Sequence, residues 1–533
     1  MPQQKREIVL ITIIVALGGF LLGFDASVIS GVVKFIEPEF NLSKIELGWA
    51  VSSITLTAAL GTLVAGPLSD RLGRRRLLTY ASVLFTISAL GSALAPTFFW
   101  LIVARLIGGL AVGVALIIAP VYIAEVAPPR YRGLLVSFNQ LNIVIGISIA
   151  FFTNYLILQF GQSDAGWAQA LGFGKWNWRW MLGLETLPAI FYFLGLFFVP
   201  RSPRWLMMMN REEEARKVMR RFSPEEGIAE QVNEVKASLA ESRKRKPVSL
   251  NDLFAPELRF VLTVGLVVAV FQQITGINSV LFYAPMIFEQ TGIGTDSSFV
   301  QAILVGLTNL VATVVAMATI DRLGRKPLLI VGMAGMALCL FVLTFGFYSA
   351  TYTIRDEALA SYPAEVDRTA LETLKGQQFE SEGAFKLALT NTLGEKTVEQ
   401  FTTTLVNGAI SLNTLVILLG ILGFVAAYAG SIGPVMWVLF SELFPNRVRG
   451  LAISFVGLVN LSIAFGIQLI FPWELARLGS GTTFLIYALF AVLGLLFIVT
   501  KVPETKGKTL EELEALLVKR DVELTTTKTS ARL

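Results

Sequence analysis

Histidine is absent from the 533 residues, and cysteine occurs once, at Cys339. Without histidine the chain lacks the commonest metal ligand and the commonest proton shuttle, so proton handling falls to carboxylates. A lone thiol excludes an intramolecular disulfide and a thiolate metal site. Charge is scarce as well: Asp, Glu, Lys and Arg make up 16% of the chain, against about 25% in soluble proteins. No phosphate loop and no nucleophile constellation occurs, which argues against an enzyme and against a cofactor or metal.

What the chain does have is apolar length. Hydrophobic residues make up 54%, and the mean hydropathy is +0.65. Runs able to cross a bilayer, each needing about 20 residues, are expected at 8–33, 46–69, 77–95, 98–123, 134–160 and 178–199, and again at 258–290, 298–320, 327–350, 411–440, 450–472 and 481–501. In lipid every backbone polar group must be satisfied internally, so these runs are read as helices. The first follows Lys5 and Arg6 like a signal peptide, but its length and Asp25 mark a retained span.

Short basic loops follow spans 2, 4, 8 and 10: DRLGRRR, PPRYRG, DRLGRKP and PNRVRG. All fall on one side, together with both termini, and the positive-inside rule makes that side the cytoplasm. The net charge of +5 is therefore an orientation signal, not a nucleic-acid footprint. Residues 201–257 form a polar, helix-prone cytoplasmic linker. Residues 351–410, richer in acidic than basic residues, are expected outside the cell, as an insertion without transport chemistry.

The halves repeat each other. GPLSDRLGRRR matches TIDRLGRKP, aligning Asp70 and Arg74 with Asp321 and Arg325. EVAPPRYRG matches ELFPNRVRG, aligning Glu125 and Arg132 with Glu442 and Arg449; VPRSPRWL is weakly echoed by VPETKGK. Duplication of a six-span unit follows. The expected fold is an all-α membrane protein with twelve transmembrane helices in two pseudo-symmetric bundles, residues 1–200 and 258–501, and a cytoplasmic tail at 502–533. In transporters built this way the substrate sits at mid-membrane between the halves. The paired acids and arginines then read as a charge latch that bridges the bundles in one state, or else serve topology alone.

Polar residues at membrane depth are the candidate site. QQITGIN places Gln272, Gln273 and Asn278 within seven residues. On a regular helix they would not share one face, but Gly276 can bend the helix and turn Asn278 inward. Gln140, Asn309 and Asn460 lie at similar depth, and Trp437 follows Gly433 and Pro434. An amide-rich cavity with few charges and one indole suits a small neutral polyhydroxylated ligand. Asp25 and Arg105 are costly intramembrane charges, expected to pair. The pair is either a static bridge or a proton-coupling switch. Glu185 also needs a partner, which the sequence does not assign. Gly109 and Gly113 mark close helix packing.

QQITGIN, the twin DRLGR and E-x-x-P-x-R-x-R-G motifs, PRSPRWL and PETKGKTLEE together resemble the sugar porter family of the major facilitator superfamily. The resemblance covers all spans and leaves out the tails and residues 351–410. It implies alternating access and a monosaccharide site formed by Gln272, Gln273 and Asn278, completed by Asn309, Asn460, Trp437 and Gln140. Asp25 stands where proton-linked members carry an aspartate, which favours proton symport by a chain acting as a monomer in the cell membrane. An uncoupled facilitator, a cyclic polyol transporter and a transport-inactive sensor are the alternatives. Three positions depart from the family: Arg201 replaces an acid, Leu461 stands where a second Trp is frequent, and Ile147 replaces a sugar-binding Gln of bacterial xylose symporters.

Overall fold

The computed structural model describes residues 3–128, 131–222, 227–244, 249–363, 365–445, 447–508 and 512–513. Eleven helical stretches among them are long and apolar enough to cross a membrane. The first half contributes α1 (Gln3–Glu39), α2 (Lys44–Leu72), α3 (Arg74–Ala93), α4 (Phe98–Val126) and α5 (Arg132–Gly161), then the short α6 (Gly166–Ala170). The sixth expected span is a broken helix, α7 (Asn177–Gly183) followed by α8 (Thr186–Leu196). Pro188 accounts for the break: it has no N–H to donate to the carbonyl of Leu184. The two pieces together supply the twelfth crossing, with Glu185 at the joint.

The linker carries α9 (Pro203–Met208), α10 (Glu212–Met219), α11 (Ile228–Lys244) and α12 (Leu250–Leu253). Trp205, Leu206, Ala215, Met219 and Val232 give it a small core of its own.

The second half opens on a helix broken twice: α13 (Arg259–Ile274), α14 (Ile277–Phe282) and α15 (Ala284–Glu289). Gly276 makes the first break with φ +81°, a left-handed conformation glycine adopts without a Cβ penalty. Pro285 makes the second, since it cannot bond back to Leu281. Then come α16 (Thr295–Leu323) and α17 (Arg325–Tyr348). The next elements belong to the insertion: α18 (Asp356–Ser361), α19 (Arg368–Leu371), α20 (Glu382–Leu393) and α21 (Glu395–Ala409). The membrane part resumes with α22 (Thr414–Ala429), α23 (Ile432–Leu443), α24 (Arg449–Leu478) and α25 (Ser480–Lys501). Pro434 breaks the tenth span at Gly430–Ser431, the expected distortion four residues upstream of the ring.

Glycines set the packing. A Cβ at Gly109 would stand 2.3 Å from the Ile54 carbonyl oxygen, and one at Gly113 2.2 Å from that of Ala58, so α4 lies directly on α2. Gly23 and Gly146 do the same for α1 and α5. Such close approach supplies the van der Waals contact that drives helix association in lipid, where the hydrophobic effect between helices is missing.

The insertion folds around Tyr352, Tyr362, Leu371, Phe385, Leu389 and Leu405. Strands β1 (Thr351–Thr353), β2 (Gln378–Phe379) and β3 (Ile410–Ser411) form an antiparallel sheet in the order β2-β1-β3. Pairing of Thr351 with Ser411 holds the two ends of the insertion together, so it leaves α17 and α22 undisturbed.

The polar contacts joining the two bundles cluster at mid-membrane and in the half nearest the insertion. Lys34 pairs with Glu289 at 2.6 Å, Gln162 donates to Asp296 at 2.9 Å, and Thr55 donates to Gln468 Oε1 at 2.8 Å. Trp49 meets Phe465 edge-on, and a Cβ at Gly48 would lie 1.9 Å from the Leu469 carbonyl oxygen. Deeper in, the Ser148 hydroxyl lies 2.9 Å from two acceptors, Val144 O on its own helix and Gly306 O across the seam.

Candidate functional site

The break at Gly276 brings the amides of QQITGIN together. Gln273 Nε2 donates to Gln272 Oε1 at 3.2 Å and to Asn460 Oδ1 at 3.0 Å. Asn278 Nδ2 donates to Gln273 Oε1 at 2.8 Å. Asn460 Nδ2 donates to Gln272 Oε1 at 2.7 Å and to the Ala269 carbonyl at 2.9 Å. Four amides on α13, α14 and α24 thus close into one network, and Gln272, Gln273 and Asn460 are buried. In this conformation they satisfy one another, with Asn278 half-buried at the edge of the network. A sugar hydroxyl, donor and acceptor at once, can enter such a network by exchanging one amide partner for itself.

The remaining expected site residues are more dispersed. Asn309 is buried on α16, Trp437 is 40% exposed on α23 and packs beside Gly457 of α24, and Gln140 is exposed on α5.

The charged residues of the first bundle do converge. Arg105 Nη1 lies 3.5 Å from Asp25 Oδ1, and both side chains are buried. Glu185, at the joint of the broken sixth span, is buried within electrostatic range of both, with no ion pair to Arg105 among the described residues. Asp25 Oδ2, Arg105 Nε and Nη2, and Glu185 Oε1 have no hydrogen-bond partner among the described residues. Gly108 leaves the room this needs, since a Cβ there would stand 3.2 Å from Asp25 Oδ2 and 2.3 Å from Ser88 Oγ. One guanidinium with two buried carboxylates in its field leaves the charge unbalanced unless one of the acids holds a proton.

In this conformation the latch motifs pair within each bundle, the arrangement expected of a state in which the bridge between bundles is parted. Arg74 contacts Asp70 at 2.9 Å and Glu125 at 3.1 Å, and donates to the Ser69 carbonyl. Ser202 donates to Glu125 and caps α9. In the second bundle Arg325 contacts Glu442 at 2.8 Å and donates to the Ile320 carbonyl, and Thr505 donates to Glu442. Arg, Glu and hydroxyl recur in matching positions, so the faint echo of VPRS in VPET carries one functional element of the duplicated knot. Arg449 donates to the Phe444 carbonyl instead of to an acid. The side chains of Arg132 and Asp321 lie outside the described residues.

The knots differ in one respect. Glu504 accepts from the backbone N–H groups of Arg325 and Lys326, capping α17. Its aligned counterpart, Arg201, reaches Glu214 of the linker at 3.7 Å. Burial opposes the charge on Glu504, but the backbone N–H groups outweigh it and hold the carboxyl below its usual range. A lowered folded-state value stabilises above the unfolded value of about 4.3 and ceases to do so as pH falls through the folded one. Glu504→Gln is therefore expected to lower Tm at pH 7, with the difference from the native protein shrinking below about pH 4. Thermal unfolding of the detergent-solubilised protein across pH measures it.

The chain matches the family described as "Sugar (and other) transporter" over residues 11–362 and 395–517. It is 34% identical to the arabinose-proton symporter of Bacillus subtilis, over 96% of this chain and 95% of that protein. It is 35% identical to the D-xylose-proton symporter of Escherichia coli, over 95% of each. Among solved structures it is similar to the inward-open conformation of the E. coli xylose transporter, with a TM-score of 0.72 and 33% identity over 96% of this chain and 99% of that one.

Proposed function

The chain belongs to the sugar transporter family of the major facilitator superfamily, and from that premise we propose that it carries a monosaccharide across the cell membrane together with a proton. Both termini and the linker lie in the cytoplasm, and the insertion lies outside, in keeping with the basic loops on the linker side. Contacts between the bundles gather in the outer half, and the relatives' inward-open architecture has a similar fold, so this conformation is read as facing the cytoplasm.

The observation that carries the reading is a division of labour between the bundles. The second holds the amide network on a broken helix, the type of element that forms transporter substrate sites. The first holds a buried Asp25–Arg105 pair with a second buried carboxylate, Glu185, in its field. Gln272, Gln273, Asn278 and Asn460 bind sugar hydroxyls; Asn309, Trp437 and Gln140 complete the site as the bundles rock. Asp25 takes and releases the proton, with Arg105 as its counter-ion and Glu185 as the second acid of the cluster. The two inner knots keep each bundle rigid at its cytoplasmic end, and their arginines cross to the opposite bundle when that side closes. One chain suffices.

Relatives named for arabinose, xylose and glucose transport set the panel for the test. Purified protein in vesicles is given each pentose and hexose, and a cyclic polyol, with and without an inward proton gradient. Gradient-stimulated uptake of a monosaccharide, with alkalinisation outside, is the expected result. Uptake without alkalinisation makes the protein a facilitator, and no uptake of any sugar overturns transport.

A further inference from the structure

A cavity of about 260 Å³ lies far from the amide network, between the insertion and the outer ends of the membrane helices. Its walls include Gln290 after α15, Tyr348 at the end of α17, Tyr352 of β1, Glu382 of α20, Asn407 of α21 and Lys44 of α2. Segment 363–394, which supplies Glu382, falls in the gap of the family match. This wall is therefore a feature of this chain beyond the common transporter scaffold.

The insertion is fastened over the space. Lys386 pairs with Glu382 at 2.6 Å and donates to the Ala476 carbonyl of α24. Glu382 also sits against Gly479, where a Cβ would stand 3.0 Å from its Oε2. The Tyr348 and Thr482 hydroxyls share a hydrogen bond at 3.1 Å. The charged side chains that line it, Lys44, Lys386, Glu380 and Glu382, sum to zero, so the cavity offers little net attraction to an ion. Gln290 accepts from Ser480, which leaves its amide N–H groups free to donate, and the Asn407 amide brings both donors and acceptors. Carboxylate and amides beside two tyrosine rings form a surface for hydroxyls on one side and C–H faces on the other. The volume lies just below the range of about 300–1,000 Å³ typical of drug-sized ligands, which admits a single small ring and excludes an oligosaccharide.

We propose that this cavity is a second, external monosaccharide-binding site, separate from the central one. Its position outside rests on the orientation proposed above. Lys44 belongs to the first bundle while the other named walls belong to the second, so an occupant touches both sides of the outer seam. Sugar held there favours the outwardly closed conformation whenever external sugar is abundant.

The test uses full-length protein with Cys339→Ser and Gly383→Cys. Gly383 lines the cavity, and a Cβ there meets nothing within 4 Å. Adding Gln273→Ala disables the central site. In right-side-out vesicles, the labelling rate of the new thiol by a membrane-impermeant maleimide is read with D-xylose, L-arabinose, D-glucose or raffinose outside. At a concentration twice its Kd, a bound sugar slows labelling about threefold, the factor 1 + [L]/Kd. Slowing is expected with at least one monosaccharide, is expected to be absent with the trisaccharide raffinose, and is expected to vanish when Asn407→Trp fills the cavity. Equal rates under all conditions, or slowing that survives Asn407→Trp, overturns the site. Uptake by the Gly383→Cys protein with Gln273 intact shows that it folds, and reports on the central transport reading independently. Should Gly383→Cys fail to fold, Thr402→Cys on the same cavity gives the same readout.

Discussion

Asp25→Asn is expected to leave a protein that exchanges sugar but no longer concentrates it. Asparagine keeps the size of the side chain and removes its proton chemistry. On the proposed mechanism a proton entering from outside is taken up at Asp25, beside the Arg105 guanidinium. A potential of about 100 mV gives one proton about 2.3 kcal/mol, enough for roughly 50-fold accumulation of sugar. The variant should bring internal and external sugar to equality, a loss of that whole factor. Counterflow, in which labelled sugar enters as unlabelled sugar leaves, needs only reorientation of the loaded carrier, and should persist. Equal loss of accumulation and counterflow would assign Asp25 a structural role instead. Accumulation assays with radiolabelled sugar in energised cells, paired with counterflow in de-energised vesicles, separate these outcomes.

Gln273→Ala should fail in both assays, because it acts on binding rather than on coupling. Gln273 is the hub of the amide network, giving two hydrogen bonds and receiving one. A sugar exchanging into that network loses two partners when the side chain is truncated. At about 1–1.5 kcal/mol for each neutral hydrogen bond, the cost is about 2–3 kcal/mol, or roughly a 30- to 150-fold rise in Kd. Equilibrium binding to the solubilised protein measures it without relying on transport. An unchanged Kd would move the central site away from α13 and α24.

Much of this was legible in the chain, for identifiable reasons. Lipid permits so few backbone solutions that apolar run length alone placed the membrane helices to within a few residues. Gly276 could be read as a bend because three amides within seven residues would otherwise point in different directions. Asp25 and Arg105 could be paired because each needed an opposite charge. Glu185 could not be placed, because the charges whose field it feels lie on α1 and α4 and its position depends on the Pro188 break in the sixth span. The latch pairs were legible as residues but not as partners: spacing along the chain does not reveal whether Arg74 reaches its own bundle or the other one. Ser202 and Thr505 stood in the weakest echo of the repeat, and their role emerged only from contact with Glu125 and Glu442. The insertion was the least legible part. Strands of two or three residues carry too little alternation to register, and the cavity beneath it is built from elements scattered between Lys44 and Thr482.

The Ser148 hydroxyl bears one proton and has two carbonyls in reach, Val144 O within α5 and Gly306 O on α16. When the bundles move apart along that seam, the proton can swing home to its own helix, and no donor is stranded in the hydrocarbon. Reorientation at mid-membrane then forfeits geometry but not satisfaction, which lets a contact hold one state without raising the barrier to leaving it.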